Sequence, residues 1–171
     1  LNPVIYNYLK NNGNPDIKPE DGLIVHPLWL ISQSLFAAVG IKISERIGFG
    51  GLNWIAHSCY VMVFLATSYS RSFYGMVYLF SIAAGICSGL GFLNGVYIAW
   101  TYFPKHKGFA AGCIFMSAGV SGAVMSYLTT KVLNPVQGLK PSDPEMYERV
   151  PMMFRAIAIF YAANTLIAGT I

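Results

Sequence analysis

Charged side chains are scarce in this sequence of 171 residues. They make up 11% of the chain, whereas 55% of its residues are hydrophobic. Soluble domains carry about a quarter charged residues, and a chain with far fewer cannot cover a globule of this size with a solvated surface. The shortage of charge therefore disfavours a soluble domain and favours a protein whose surface faces lipid.

Acidic side chains are the scarcest charged groups, and none of the seven lies inside a long apolar run. This absence argues against a carboxylate proton relay within the membrane. The three cysteines, Cys59, Cys87 and Cys113, form no CxxC or Cys/His spacing, so we expect packing residues rather than a metal site. No nucleophile–base arrangement, phosphate loop or basic helix face occurs either. We therefore expect no enzyme activity, no cofactor and no nucleic-acid partner.

Long apolar runs dominate what remains. Each is about as long as the roughly 20 residues that cross a hydrocarbon core of about 30 Å. A soluble core built from the same runs would need five helices that are apolar on every face. The sequence therefore predicts an all-α, polytopic bundle, integral to a membrane of unspecified type, with five transmembrane spans: Gly22–Ile41, Gly51–Ser70, Met76–Phe103, Gly108–Leu133 and Pro151–Ile171.

The charges between the runs predict the orientation of the bundle. Five spans place alternate loops on opposite sides of the membrane. The short segments KISERIG and PKHKG hold four bases and one acid, a net charge of +3, whereas the longer segments on the other side hold six bases and six acids. The positive-inside rule gives short loops most weight, so we expect these two segments in the cytoplasm.

Small residues recur along the third and fourth runs, among them Gly85, Gly89, Gly112 and Gly119. In lipid, small residues at helical spacing let two helix backbones approach closely, because packing rather than water expulsion drives their association. We therefore expect both runs to pack tightly against other helices.

The segment AWTYFPKHKGFAAG, between the third and fourth runs, resembles a junction of major facilitator superfamily transporters. It is most similar to the oxalate/formate antiporter and monocarboxylate transporter branch. In that branch an aromatic residue precedes Phe–Pro–x–x–basic–Gly–x–Ala–x–Gly between the fourth and fifth helices. Six positions match this pattern one by one: Phe103, Pro104, Lys107, Gly108, Ala110 and Gly112.

The segment VGIKISERIG resembles the loop between helices two and three of the same superfamily. Arg46 and Gly48 match its pattern, and Glu45 stands in for the usual aspartate. The leading glycine and the trailing basic residues of the pattern are replaced, so the resemblance implies a cytoplasmic gate whose latch is altered. The residues assigned to this gate and its neighbouring loop are Glu45, Arg46, Gly48, Lys105 and Lys107.

On this alignment the five runs correspond to helices two to six of the transporter's N-terminal half. Residues 1–21 then form the external loop after the first helix. The whole chain is expected to be a single membrane domain and a fragment of a longer transporter. The resemblance thus implies the remaining transporter half and the lipid bilayer as partners.

Polar side chains within the runs are the candidates for a substrate site. Gln33 lies near the middle of the first run, where the antiporter branch tends to carry a glutamine that faces the substrate. A hydrogen bond between two helices is the alternative role. The resemblance assigns Phe92, Asn94 and Tyr97 to the cavity wall of the third run, again with contacts between helices as the alternative.

His57 and Arg155 are ionisable side chains within the second and fifth runs. His57 could carry protons, but the resemblance puts its helix at the periphery of the cavity, which favours a structural, hydrogen-bonded histidine. Arg155 lies about one turn past Pro151, so its long side chain can reach the external headgroups. Attraction of anions at the mouth of the cavity is the alternative role for Arg155.

The resemblance as a whole implies secondary active transport of a small organic anion, a mono- or dicarboxylate, by alternating access. The coupled species would be either a proton or a counter-anion. The alternative is a transporter-derived structural subunit of a larger membrane complex, without transport activity. A membrane-embedded enzyme or receptor would need polar catalytic or ligand-binding residues that the sequence does not present.

Overall fold

Helices make up most of this protein. The computed structural model describes residues 3–135 and 138–169, and within these ranges it contains no strand. Five helical segments of the described chain are long and apolar enough to cross a membrane. The protein is therefore an all-α, integral, multi-pass membrane protein, as the sequence predicts. Its helices are α1 (Pro3–Asn11), α2 (Val25–Ile47), α3 (Phe49–Thr67), α4 (Phe73–Met76), α5 (Ala84–Phe92), α6 (Asn94–Tyr102), α7 (Lys107–Leu133), α8 (Pro144–Tyr147) and α9 (Val150–Gly169).

The helix of the first run extends well past the predicted span. It continues through the charged residues of KISERI to Ile47, and α3 begins at Phe49. Charged residues are compatible with helix geometry, so α2 ends only where Gly48 adopts a φ of 83° and a ψ of 148°. The segment predicted to be a cytoplasmic loop is therefore a one-residue link, and its charged residues belong to α2.

The other spans begin and end close to the predicted positions. The third is a composite that runs from Phe73 to Tyr102, and the fourth is α7. The second is α3, which ends before the predicted boundary, at Thr67. The predicted end of the fifth span, Ile171, lies outside the described residues. Hydropathy thus locates the spans, while the exact ends depend on caps and turns.

The third span is irregular on both sides of α5. A π-helical segment, Val77–Ala83, joins α4 to α5, and α6 begins after Leu93. The π-helical segment contains Ser81, which is buried and whose hydroxyl has no hydrogen-bond partner among the described residues. Such segments occur frequently near functional sites. A functional site is therefore expected near α5 and the helices that pack against it.

The α2 and α5 helices pack closely at their glycines. A Cβ atom added at Gly89 would lie 2.5 Å from the carbonyl oxygen of Gln33, and one added at Gly85 would lie 2.8 Å from that of Trp29. Gly40 of α2 approaches the α5 backbone in the same way. This geometry confirms the close packing predicted for the third run, because no larger residue fits at these positions.

The α7 helix differs from α5 in this respect. At Gly108, Gly112, Gly119 and Gly122 the space that a Cβ would fill is open. Among the described residues α7 does contact α6 and α9, but not by the close approach at these glycines that the sequence predicts. Small residues permit a close approach between helices, but they do not select a partner, so the sequence pattern alone cannot distinguish a used face from an unused one.

Aromatic rings join α3 to α9 and to the π-helical segment. The ring centroid of Phe64 lies 5.8 Å from that of Phe80, 6.2 Å from that of Phe154 and 5.9 Å from that of Tyr161. Tyr60 meets Tyr161 edge to face at 5.0 Å. Aromatic pairs at such distances contribute about 0.5–1.5 kcal/mol each beyond their burial. This cluster therefore fixes α9 against α3.

The polar lead-in, predicted to be a loop, contains α1 and packs across one end of the bundle. Leu9 of α1 is fully buried. Asn7 Nδ2 donates to the Pro141 carbonyl at 2.7 Å, and Asn14 Nδ2 donates to the Arg71 carbonyl at 2.8 Å. Apolar residues on one face of a short helix gain enough burial here to outweigh the loop-forming Asn and Pro residues. The segments before α2, after α3 and after α7 thus meet at one end, as five alternating spans require.

Gly48→Ala is expected to lower the free energy of unfolding by about 1–3 kcal/mol, because its backbone conformation is accessible essentially to glycine alone. Thermal unfolding of the purified protein in detergent measures the change. Gly51→Ala is the matched control, since Gly51 is helical and has open space beside it. Alanine there should raise stability by about 0.5–1 kcal/mol. If Gly48→Ala left the unfolding temperature unchanged, the claim that this link requires a glycine conformation would be wrong.

Candidate functional site

Two adjacent cavities lie within the bundle. The small cavity, of about 330 Å³, lies mainly between α3, α5 and α9. The large cavity, of about 590 Å³, lies mainly between α3, α7 and α9. Asn53, His57 and Tyr161 line both of them. Because they share these walls, and because their volumes fall in the range of small-molecule pockets, we treat the two cavities together as the candidate site.

Polar side chains from several helices converge on these cavities. Several of them bond to carbonyls of their own helix: Ser121 donates to Ala118, Asn164 to Phe160 and Thr165 to Tyr161. Five residue types carry an acidic or basic side chain: Asp, Glu, Lys, Arg and His. Among the described residues that line the cavities, His57 is the single member of these types. The other polar residues of the walls are Asn53, Tyr60, Ser88, Ser121, Tyr161, Asn164 and Thr165.

Asn94 holds Asn53 in place at the cavity wall. Asn94 is 0% exposed, and its Nδ2 donates to Asn53 Oδ1 at 3.2 Å and to the Leu90 carbonyl at 3.3 Å. Since Asn53 Oδ1 accepts this bond, Asn53 Nδ2 is left to donate to whatever occupies the cavities. Asn94 was predicted to line the substrate path. It lies behind the wall instead and acts through Asn53.

His57 contributes an imidazole ring to the shared wall. Its Nδ1 lies 2.8 Å from the Asn53 carbonyl oxygen, one turn earlier in α3. A carbonyl oxygen only accepts, so Nδ1 carries the hydrogen and Nε2 remains available. This bond agrees with the structural role that the sequence predicts for His57. The ring is nevertheless exposed and lines both cavities, which the predicted peripheral position did not anticipate.

Gln33 joins α2 to α5 and reaches the site indirectly. Its Nε2 donates to Ser88 Oγ at 2.9 Å, which is the hydrogen bond between helices that the sequence gives as the alternative role. Ser88 lines the small cavity, and Gln33 is not among its lining residues. Gln33 therefore orients a cavity-lining hydroxyl from behind.

The two aromatic residues assigned to the cavity wall lie in different places. Phe92 lines the small cavity, and its ring centroid lies 6.3 Å from that of Phe115 on α7. Tyr97 lines neither cavity; its ring stacks on Phe49 at 5.8 Å and lies 5.7 Å from Trp100. The structure thus brings Phe92 to the site, and it places Tyr97 in a separate aromatic group near the start of α3.

The residues assigned to a cytoplasmic gate lie at the end of the bundle opposite α1. Trp100 Nε1 donates to the Lys107 carbonyl at 3.0 Å, and this bond ties the end of α6 to the start of α7 across the turn at Pro104. The role of the assigned residues in a gate stays a prediction. The exposed members are Glu45, Arg46, Gly48, Lys105 and Lys107.

Arg155 lies away from both cavities. Its guanidinium carbon is 5.0 Å from the centre of the Tyr69 ring, and its Nε donates to Ser68 Oγ at 3.5 Å. A cation–π contact of this kind holds the side chain beside the end of α3. Attraction of anions by Arg155 stays a prediction.

A polar stripe on α3 is the signal that sequence reasoning missed. Asn53, His57 and Tyr60 recur at i, i+4 and i+7, and therefore lie on one face of an otherwise apolar helix. Tyr161 and Asn164 repeat the pattern on α9 at i and i+3. Both stripes can be recognised in the sequence when the polar residues of each helix are examined in turn. The resemblance to the transporter family instead puts the second span at the periphery of the cavity.

Comparison with models of protein families, with curated proteins and with solved structures finds no match to this chain. The resemblance to major facilitator transporters therefore rests on the residues of AWTYFPKHKGFAAG and VGIKISERIG alone. The class that the structure defines is an all-α, multi-pass membrane protein with a polar cavity inside its bundle.

Proposed function

We propose that this chain forms part of a secondary active transporter, which moves a small organic anion, a mono- or dicarboxylate, by alternating access. The observation that carries the proposal is the pair of adjacent cavities on which polar groups of several transmembrane helices converge. Substrate sites of secondary transporters lie near the bilayer midplane, between helices. His57 lies in the middle third of α3, which puts the shared wall of the cavities at about that depth.

The chemistry of the lining favours an anion. The described walls offer N–H and O–H groups, such as Asn53 Nδ2 and the hydroxyl of Tyr161, which accepts from Tyr60 and keeps its own hydrogen to donate, and they include no carboxylate. A carboxylate ligand accepts hydrogen bonds from such donors and meets no like charge nearby. A volume of about 330 Å³ for the small cavity lies at the low end of the range for small-molecule sites, which favours a small substrate.

The end of the bundle opposite α1 supports alternating access. It carries the exposed bases Arg46, Lys105 and Lys107, and Gly48 joins α2 to α3 there with no intervening loop. Close packing of α2 on α5 and the aromatic cluster between α3 and α9 hold these helices together as one body. Rocking of a rigid bundle against a second one around a fixed site is the motion that alternating access requires.

Proteoliposomes that contain the purified full-length protein test the proposal. We expect uptake of radiolabelled oxalate or pyruvate that saturates with concentration and exceeds the uptake by empty liposomes. Labelled choline, a small cation, should not be taken up. Correctly folded protein that moves no carboxylate would contradict the proposal and favour the alternative, a structural subunit without transport activity.

Gln33→Ala is expected to raise the apparent KM for the transported carboxylate by about three- to tenfold. The substitution releases Ser88 from the bond that orients it, and one well-placed hydrogen bond contributes about 1 kcal/mol. Ser34→Ala is the matched control, because Ser34 is an exposed neighbour on α2 that lines neither cavity. An unchanged KM for every carboxylate tested would remove Gln33 from the site.

A further inference from the structure

Hydrogen bonds from behind the walls determine which side chains of the small cavity are left to donate. Ser88 Oγ accepts from Gln33 Nε2 at 2.9 Å. Asn53 Oδ1 accepts in the same way from Asn94 Nδ2 at 3.2 Å. A hydroxyl or amide whose oxygen accepts keeps its hydrogens for another partner. The Ser88 hydroxyl and Asn53 Nδ2 are therefore left to donate to a ligand, and the Tyr161 hydroxyl adds a third donor on the wall that both cavities share.

Three polar side chains that line only the large cavity are arranged in the opposite way. Ser121 and Thr165 each donate the hydroxyl hydrogen to a carbonyl of their own helix at 2.8 Å. A hydroxyl has one hydrogen, so these two oxygens are left to accept. Asn164 Nδ2 also donates within its own helix at 2.8 Å, and its Oδ1 accepts. The large cavity thus presents acceptor oxygens where the small cavity presents donors.

The two sets of side chains suit different groups of one ligand. A carboxylate accepts hydrogen bonds and donates none, so it suits the donors Ser88, Asn53 and Tyr161. A hydroxyl group donates and accepts, and in the large cavity it meets the acceptor oxygens as well as the indole N–H of Trp54. An ammonium group would also suit the acceptors, but the described walls include no carboxylate to neutralise it. His57 lies on the shared wall, so it does not distinguish the two cavities.

The volumes of the cavities favour a ligand with more than three carbons. A water molecule occupies about 30 Å³ in the liquid. The cavities, of about 330 and 590 Å³, therefore correspond to about ten and about twenty waters. A three-carbon acid fills only a small part of this space. A longer, hydroxylated carbon chain can keep its carboxylate at the donors and place hydroxyl groups in the large cavity.

We propose that the candidate site binds a polyhydroxylated monocarboxylate, a sugar acid. Its carboxylate accepts from Ser88, Asn53 and Tyr161, and its hydroxyl groups donate to the acceptor oxygens of the large cavity. The inference rests on the proposed transport of an organic anion and names the substrate class of that same site. Pyruvate offers the carboxylate alone, so it binds to the same donors with lower affinity.

Isothermal titration of the purified full-length wild-type protein with gluconate and with pyruvate tests the substrate class. Both ligands are monocarboxylates that are fully ionised at pH 7, and gluconate adds hydroxyl groups. We expect the dissociation constant of gluconate to be at least about tenfold lower, because each added hydrogen bond to a neutral group changes affinity by about fivefold. Gluconate that binds no more tightly than pyruvate would overturn the inference. Tighter binding of alanine, which offers an ammonium group, than of gluconate would overturn it as well.

The double variant Ser121→Ala with Thr165→Val, here called the acceptor variant, tests where the hydroxyl groups bind. It removes two acceptor oxygens that bond only within their own helices, so the contacts between helices are kept. The dissociation constant of gluconate should rise by about tenfold, and that of pyruvate should change by less than about twofold. An equal loss of affinity for both ligands would contradict the proposed orientation.

Ser117→Ala with Thr130→Val is the matched control. Both hydroxyls donate to carbonyls of their own helix, α7, and neither residue lines a cavity that forms the candidate site. The control should bind gluconate as the wild type does, and thermal unfolding in detergent checks that both double variants are folded.

The outcomes separate this inference from the transport proposal. A folded acceptor variant that binds gluconate as tightly as the wild type would overturn the inference, while carboxylate uptake by proteoliposomes would still support transport. If the wild-type protein neither bound nor moved any carboxylate, gluconate included, the transport proposal would be wrong, and this inference with it.

Discussion

Gly89→Leu is expected to separate α2 from α5 and to prevent recovery of a stable, monodisperse protein. The Cβ alone would lie 2.5 Å from the Gln33 carbonyl oxygen and 3.0 Å from Phe36 Cβ. Neither atom is the end of a flexible side chain, so the helices have to move apart. Overpacking of this kind costs about 1–3 kcal/mol, and occasionally more. The same movement would break the hydrogen bond from Gln33 to Ser88, which crosses the interface.

Thermal unfolding and size-exclusion chromatography in detergent measure this effect. Gly51→Leu is the control, since Gly51 is helical and exposed and has open space beside it. We expect the control to yield a monodisperse protein with an unfolding temperature close to that of the wild type. A Gly89→Leu protein as stable as Gly51→Leu would show that α2 and α5 do not pack as closely as described.

Hydropathy predicts the five spans because burial in lipid demands long apolar helices, and that demand is visible in composition alone. It does not predict where a helix ends in water. The charged residues after Ile41 looked like a loop, yet α2 continues to Ile47 and stops only at Gly48. Nor does it reveal which small residues are used: Gly89 has no room for a Cβ, whereas Gly119 faces open space.

The candidate site could be predicted only in part. Gln33 and Asn94 stand out in the sequence because an isolated amide within an apolar run needs a partner. Their partners, Ser88 and Asn53, depend on which helices meet, and that arrangement is tertiary. The sequence does not single out His57 as a site residue. A comparison of single positions does not show that the polar stripes on α3 and α9 face each other across a cavity.

The native cysteines offer a direct probe of that cavity. Cys87 is half-buried and lines the small cavity, whereas Cys59 and Cys113 line neither cavity. The thiolate is the reactive form of cysteine, and a thiol surrounded by lipid has neither the water to ionise nor access to a charged reagent. Replacing Cys59 and Cys113 by alanine leaves Cys87 as the single cysteine of these 171 residues.

The most direct test of a water-filled, anion-binding cavity is the rate at which a small charged methanethiosulfonate modifies Cys87 in this double variant, reconstituted in liposomes. Cys87 should react, and pyruvate at about ten times its dissociation constant should slow the reaction by about tenfold, because an occupied cavity excludes the reagent. Choline at the same concentration should leave the rate unchanged. A Cys87 that does not react, or that reacts equally fast with and without any carboxylate, would contradict the account.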